Sequence, residues 1–261
     1  MTRLAFALLA LVACGKKTEN KAAAAATEIT VAAASDLMFA FKEVGAAFEK
    51  QTGKKVTFSF GSSGNLAKQV ENGGPFDVFA AANVAFIDEA IKSGACDPAT
   101  KAMYARGRIV VWTKTGGAAA PASLVDLKDD RFKKIAIANP EHAPYGKAAK
   151  QALEKLGIWD AVQPKIVFGE NISQTLQFAQ TGNADAAIAA LSLALAAKDG
   201  TYLLVDDALH APLDQAMVAC MHGTSFELAK QFTAFVSSEA GHAIMKSHGF
   251  LLPGESMAKS K

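Results

Sequence analysis

Hydroxyl-bearing and small residues gather at four places where an apolar run gives way to a helical pattern. These are Ala34-Ser35-Asp36, Gly61-Ser62-Ser63-Gly64, Asn139-Pro140-Glu141-His142-Ala143-Pro144-Tyr145-Gly146 and Gly169-Glu170-Asn171-Ile172-Ser173. The chemistry they suit is anion capture. Backbone N–H groups at a helix start lack intrahelical partners and sit at the positive end of the macrodipole, serine hydroxyls add donors, and glycine admits close approach. A single turn of this kind reads more simply as an N-capped strand-to-helix connection; its repetition favours a site. In open α/β sheets ligands bind beyond the carboxyl ends of strands, where several such turns converge on one cleft. None of the four carries an arginine clamp.

Other chemistries fit less well. Gly61-Ser62-Ser63-Gly64 has one residue too few between its glycines for the GxSxG elbow of a serine hydrolase, and no histidine is placed by a recognisable signature. No GxxxxGK[ST] phosphate loop occurs. His142, His210, His222, His242 and His248 are dispersed without an HxxxH pair, so surface or core roles suit them better than metal ligation. Lys plus Arg number 27 against 25 Asp plus Glu, and no basic run interleaves with aromatics, which disfavours a nucleic-acid partner.

The elements that must position these turns follow from periodicity. The 261 residues are 51% hydrophobic and 20% charged, enough for a substantial core in one large domain or two lobes. From Glu28 short β-like runs alternate with helical patterns, an α/β arrangement with largely parallel sheets. Residues 29–34 read as a strand buried on both faces, Ser35 as the N-cap of the next helix, and Leu37, Phe41, Val44 and Phe48 as its apolar stripe, ending near Gly53. A strand at 56–60 leads to a helix that Asn65 starts and Gly73-Gly74-Pro75 ends. A strand at 76–81 and a helix at 84–92 follow, and after Cys96 a helical turn runs through Met103 to a strand at 107–113. The small-residue loop 116–121 reads as a lobe boundary. Beyond it strands are expected at 135–138, 165–168, 186–190, 201–205 and 216–221, with helices at 145–156, 173–181, 226–236 and about 240–247.

The first residues are a targeting segment. Arg3 begins it, residues 4–13 form an apolar core too short to span a bilayer, and Leu11-Val12-Ala13-Cys14 resembles a bacterial lipobox, implying cleavage before Cys14 and acylation of its sulfur. Residues 14–27 then form a flexible tether. Cys96 and Cys220 remain, compatible with a disulfide or with buried thiols, and no CxxC spacing exists.

In order and spacing, Ile29-Thr30-Val31-Ala32-Ala33-Ala34-Ser35-Asp36-Leu37, Phe60-Gly61-Ser62-Ser63-Gly64-Asn65-Leu66-Ala67-Lys68-Gln69, Pro75-Phe76-Asp77-Val78-Phe79, the Asn139 to Gly146 turn with Leu156-Gly157-Ile158-Trp159, and Gly249-Phe250 resemble the molybdate-binding proteins of bacterial ABC importers. The likeness covers nearly all of residues 28–253. It implies a non-enzymatic protein with the two-lobed periplasmic-binding-protein fold of type II, each lobe a mainly parallel sheet flanked by helices, with the ligand in the cleft. Lobe one would comprise 28–111 and 212–261 and lobe two 112–211, joined by crossover strands near 108–113 and 210–217. It further implies capture of molybdate or tungstate without a cofactor. The protein would be a monomer on the periplasmic or cell-surface face, held through the lipid on Cys14, and would deliver its ligand to a permease with its ATPase.

Carried over by motif, Ser35 and Ser63 match the two hydroxyl positions that bind the oxyanion, and Ile172 matches a backbone N–H donor. Tyr145 lies in the Pro-Tyr-Gly turn whose backbone faces the ligand, and Asp36 supplies its N–H with its carboxylate turned away. These groups meet oxyanion oxygens, with no direct metal coordination. Where many members carry a tyrosine that completes the site this chain has Ala190, and Tyr145 is the candidate replacement. A proton-free dianion is served by donors alone, an acceptor would favour a protonated phosphate, and discrimination against smaller sulfate rests on cavity size. Sulfate or phosphate binding, or a sensor role, are the alternatives; a serine hydrolase is the remotest.

Overall fold

A computed structural model describes residues 26–255, and the leader, Cys14 and the tether up to residue 25 lie outside the described residues. The chain opens with β1 (Glu28–Ala34), which passes through a 3₁₀ turn, Ser35–Leu37, into α1 (Met38–Thr52). β2 (Lys55–Gly61) leads into α2 (Ser63–Glu71) and β3 (Val78–Ala81) into α3 (Val84–Lys92). After β4 (Ala102–Gly107) the chain changes sheet at Arg108 and continues as β5 (Ile109–Lys114). The second lobe adds β6 (Ile135–Ala138), α4 (Pro144–Lys155), α5 (Trp159–Val162), β7 (Ile166–Gly169), α6 (Ile172–Gln180), β8 (Ala186–Ala190), α7 (Leu191–Ala196) and β9 (Gly200–Leu204). β10 (Leu213–Ala219) returns to the first sheet before α8 (Phe226–Val236) and α9 (Glu239–Ser247).

The two sheets share one plan, β2-β1-β3-β10-β4 and β7-β6-β8-β5-β9. The α/β two-lobed architecture is the expected one, with a refinement: each sheet combines two parallel pairings with two antiparallel ones. The antiparallel members arise because β5 and β10 enter their sheets from the opposite lobe. β1 is buried along both faces apart from its first residues, as its continuous apolar run requires. On α1 the stripe of Phe41, Val44 and Phe48 turns inward, and Phe232 of α8 meets the rings of Phe41 and Phe48 near-perpendicularly at 6.0 and 5.4 Å. Each such ring contributes about 1.5–3 kcal/mol through burial. Asp77, at the head of β3, is buried and accepts the Thr30 and Ser225 N–H groups at 2.7 Å each, tying β1 to the start of α8.

Four expectations are corrected. Ser35 is the first residue of the 3₁₀ turn and caps nothing, because its hydroxyl is drawn across the cleft to the second lobe. Ser63, two residues before Asn65, begins α2. The segment through Met103 is helical only at Pro98–Thr100; Ala102–Gly107 is a strand paired with β10, its alternation hidden because Met103 faces outward while Tyr104 is buried. The sheets change at Arg108, so residues 109–111 pair within the second sheet, and the loop at 116–121 follows β5 inside the second lobe, where the Thr115 N–H meets the Asp199 carbonyl at 2.9 Å. Cys96 and Cys220, left open by the sequence, are joined as a disulfide that fastens the segment after α3 to the end of β10.

Candidate functional site

A small cavity of about 10 Å³ lies between the lobes, beyond the carboxyl ends of β1, β2, β3, β6 and β7. Ser35, Asp36, Ser63, Tyr145 and Ile172, dispersed along the sequence, all line it. Ala34, Gly61, Ser62, Ala82, Ala143 and Pro144 complete the wall, which contains no Lys, Arg or His. Among the described residues no group of three or more His, Cys, Asp or Glu could hold a metal ion. An occupant here meets hydroxyls and helix-start amides, with Asp36 as the one ionisable carboxyl.

Each donor is held by its own local structure. Ser63 Oγ accepts the Ala82 N–H at 3.0 Å, which fixes the side chain and leaves its proton to donate. Asn171 caps α6 by accepting the Ser173 and Gln174 N–H groups at 3.1 Å each, so the first amide of the helix, that of Ile172, remains for the cavity. Ser35 Oγ donates to Asn171 Oδ1 at 3.3 Å and accepts the Ser173 N–H at 3.4 Å. Both contacts are long, and Asn171 Oδ1 also accepts the Ser173 hydroxyl at 2.7 Å, so redirecting the Ser35 proton to a ligand removes little.

Behind the wall lies a buried network that the sequence reading did not anticipate. Asp36 Oδ2 accepts from Tyr145 Oη at 2.9 Å and from Gln215 Nε2 at 2.7 Å. Gln215 Nε2 also donates to Tyr145 Oη at 3.1 Å, and its Oε1 accepts from Tyr104 Oη at 2.9 Å. Burial pushes Asp36 up to about 6, against the opposing pull of the hydrogen bonds from Gln215, Tyr145 and its own backbone. Burial likewise holds both tyrosine hydroxyls well above their ordinary range, with the nearby Asp36 charge adding to it. Tyr145 donates its one proton to Asp36 in this structure; a carboxylate is the stronger acceptor available to a buried phenol. Asp36 Oδ2 thus faces the network, while Oδ1 is buried with no partner from another residue. Gln215 carries a legible signal, a polar residue inside the apolar run of β10.

The walls are in contact across the cleft. The Gly64 N–H donates to the His142 carbonyl at 2.9 Å, and His142 Nδ1 lies 2.8 Å from Ser62 Oγ. A Cβ on Gly64 would stand 2.9 Å from that same carbonyl oxygen, so only glycine allows the two backbones to meet. Asn65 Nδ2 reaches Glu170 Oε1 at the rim.

Two mixed sheets, a chain that crosses between them, and a donor-lined cavity at facing strand ends define a two-lobed ligand-binding protein. A model for the bacterial extracellular solute-binding proteins matches residues 29–251, and the chain belongs to this family. The molybdate-binding protein ModA of Rhodobacter capsulatus is 35% identical over 232 residues, spanning 87% of this chain and 90% of its own. That of Azotobacter vinelandii is 36% identical over 256 residues, spanning 96% and 97%. The solved structure of the Azotobacter vinelandii periplasmic molybdate-binding protein superposes with a TM-score of 0.80 at 29% identity, covering 86% of this chain and 99% of that one.

Substituting Gly64→Ala is expected to oppose closure by about 1–3 kcal/mol of overpacking. Ligand affinity measured by calorimetry should fall by roughly five- to a hundredfold, while the unfolding midpoint without ligand stays near that of the wild type. Unchanged affinity would show that the Gly64–His142 approach is unrelated to binding.

Proposed function

We propose that the protein captures a tetrahedral oxyanion, molybdate and with it tungstate, between its lobes and presents the closed form to a membrane permease driven by an ATPase. The observation that carries this reading is the cavity wall, in which neutral donors from both lobes converge with no cation among them. A cation-free wall suits an ion that carries no proton near neutral pH and can be enclosed by N–H and O–H groups alone. The relatives named above are molybdate-binding proteins by their names, and the fold is shared with the Azotobacter vinelandii structure. Ser35 and Ser63 donate through hydroxyls and Ile172 through its amide. Asp36 and the Pro144-Tyr145-Gly146 turn close the wall, and cavity size selects against sulfate. The protein works without a cofactor, as a monomer on the periplasmic or cell-surface side, tethered through a lipid on Cys14.

Calorimetric titration with molybdate, tungstate, sulfate and phosphate tests the ligand, and tight binding of the first two alone is expected. Hydrogen bonds to a charged acceptor are worth about 1.5–3 kcal/mol each, so Ser35→Ala and Ser63→Ala should each weaken binding by about ten- to a hundredfold. Undiminished affinity in both would overturn the site assignment. Mass spectrometry of the membrane-extracted protein should find an acylated N-terminal Cys14; an unmodified cysteine would refute the anchor.

A further inference from the structure

One residue of the cavity wall carries a polar atom that no other residue satisfies. Asp36 is 1% exposed, and while Oδ2 is held by Tyr145 and Gln215, Oδ1 is buried with no partner from another residue. A buried carboxyl oxygen left bare is costly, so an occupant that satisfies it gains by doing so. Two arrangements fit a tetrahedral oxyanion. An ionised carboxylate would accept a proton from a protonated ion, or a neutral acid would donate to a fully deprotonated one.

The surroundings favour the neutral acid. No cation lines the cavity, and a carboxylate beside a dianion at low dielectric is strongly repelled. Burial already raises Asp36 to about 6, and a neighbouring dianion acts in the same direction. Ser192 of α7 donates its hydroxyl to the Asp36 carbonyl at 2.8 Å, which fixes the Asp36 backbone from the second lobe. Resting on the oxyanion reading above, we propose that Asp36 binds the ion as a neutral acid, donating its Oδ1 proton to one oxyanion oxygen. Each ion captured at or above neutral pH then takes up a proton from solution. Tyr145 and Gln215 are positioning residues that hold Oδ2 and aim Oδ1 at the ion.

Few other groups compete for the effect. α6 and α7, packed against the Ser35–Leu37 turn, carry no ionisable side chain, and Lys42, Glu43, Glu49, Lys50 and Lys55 of α1 and β2 are exposed. From α4 comes Tyr145, and from β4 and β10 come Tyr104 and the Arg106–Asp214 ion pair. His142, beside Ser62, is a second protonatable group next to the wall.

Calorimetry with molybdate at pH 6, 7 and 8, in two buffers of different ionisation enthalpy, reads affinity and proton count together. Wild-type affinity is expected to fall with rising pH, approaching about tenfold per unit, with about one proton taken up per ion at pH 8. Asp36→Asn, which keeps an N–H donor there, should bind with affinity independent of pH and take up none; His142→Gln should keep the wild-type uptake. The wild-type count stands without any variant. A flat wild-type profile without uptake, uptake that survives in Asp36→Asn, or tight binding of phosphate in place of molybdate overturns the proposal while leaving an oxyanion site. Failure of every tetrahedral oxyanion to bind the wild type overturns that functional reading and this proposal with it.

Discussion

A dianion taken out of water must be met by donors on every side when no counter-charge is at hand, and the cavity between these lobes offers none. That constraint explains most of what the site contains. Neutral donors at about 1.5–3 kcal/mol apiece must be numerous and convergent to offset the lost hydration, and one strand-end turn supplies only two or three. The first lobe brings Ser35 and Ser63 to the wall and the second Pro144, Tyr145 and Ile172, so the cavity is lined from both lobes.

The fold meets this demand by topology. Parallel strands place their carboxyl ends, and hence the helix starts that follow, on one edge of each sheet, and the crossing chain turns those edges toward each other. Among the contacts that join the walls are a backbone pair, Gly64 and His142, and a side-chain pair, Asp36 and Tyr145. The second of these lies against the sheet change itself: a Cβ on Gly107 would stand 2.1 Å from Tyr145 Oη and 2.8 Å from Gln215 Nε2. The cavity, the contact between the lobes and the sheet change are thus neighbours, and Arg108, next in the chain, is held to the C-terminal segment through the Gly249 carbonyl at 2.8 Å.

Much of this was legible in the residues. The apolar period of α1, the continuous run of β1 and the four small-residue turns mark the elements and the edge where a ligand would sit, because burial and helix-start chemistry leave local signatures. The network behind the wall left weaker traces. Gln215, Tyr104, Asn171 and Ser192 meet Asp36, Ser35 or one another across separations of more than a hundred residues, and no local period encodes such a pairing. Ser35 shows the limit clearly: its type and position suit an N-cap, yet a partner from the other lobe decides where its hydroxyl points. Strand β4 was hidden for a similar reason, since its outward Met103 broke the polar-out pattern expected of an alternating strand.

The most direct test of enclosure by neutral donors is a crystal structure of the protein with molybdate, with the ion located by its anomalous scattering. Molybdenum should appear between Ser35 and Ser63 of one lobe and Ile172 of the other. Its oxygens should lie within hydrogen-bonding distance of the two hydroxyls and that amide, with the Ser35 proton withdrawn from Asn171. An ion bound outside this cavity, or one paired directly with a lysine, arginine or added cation, would contradict the account.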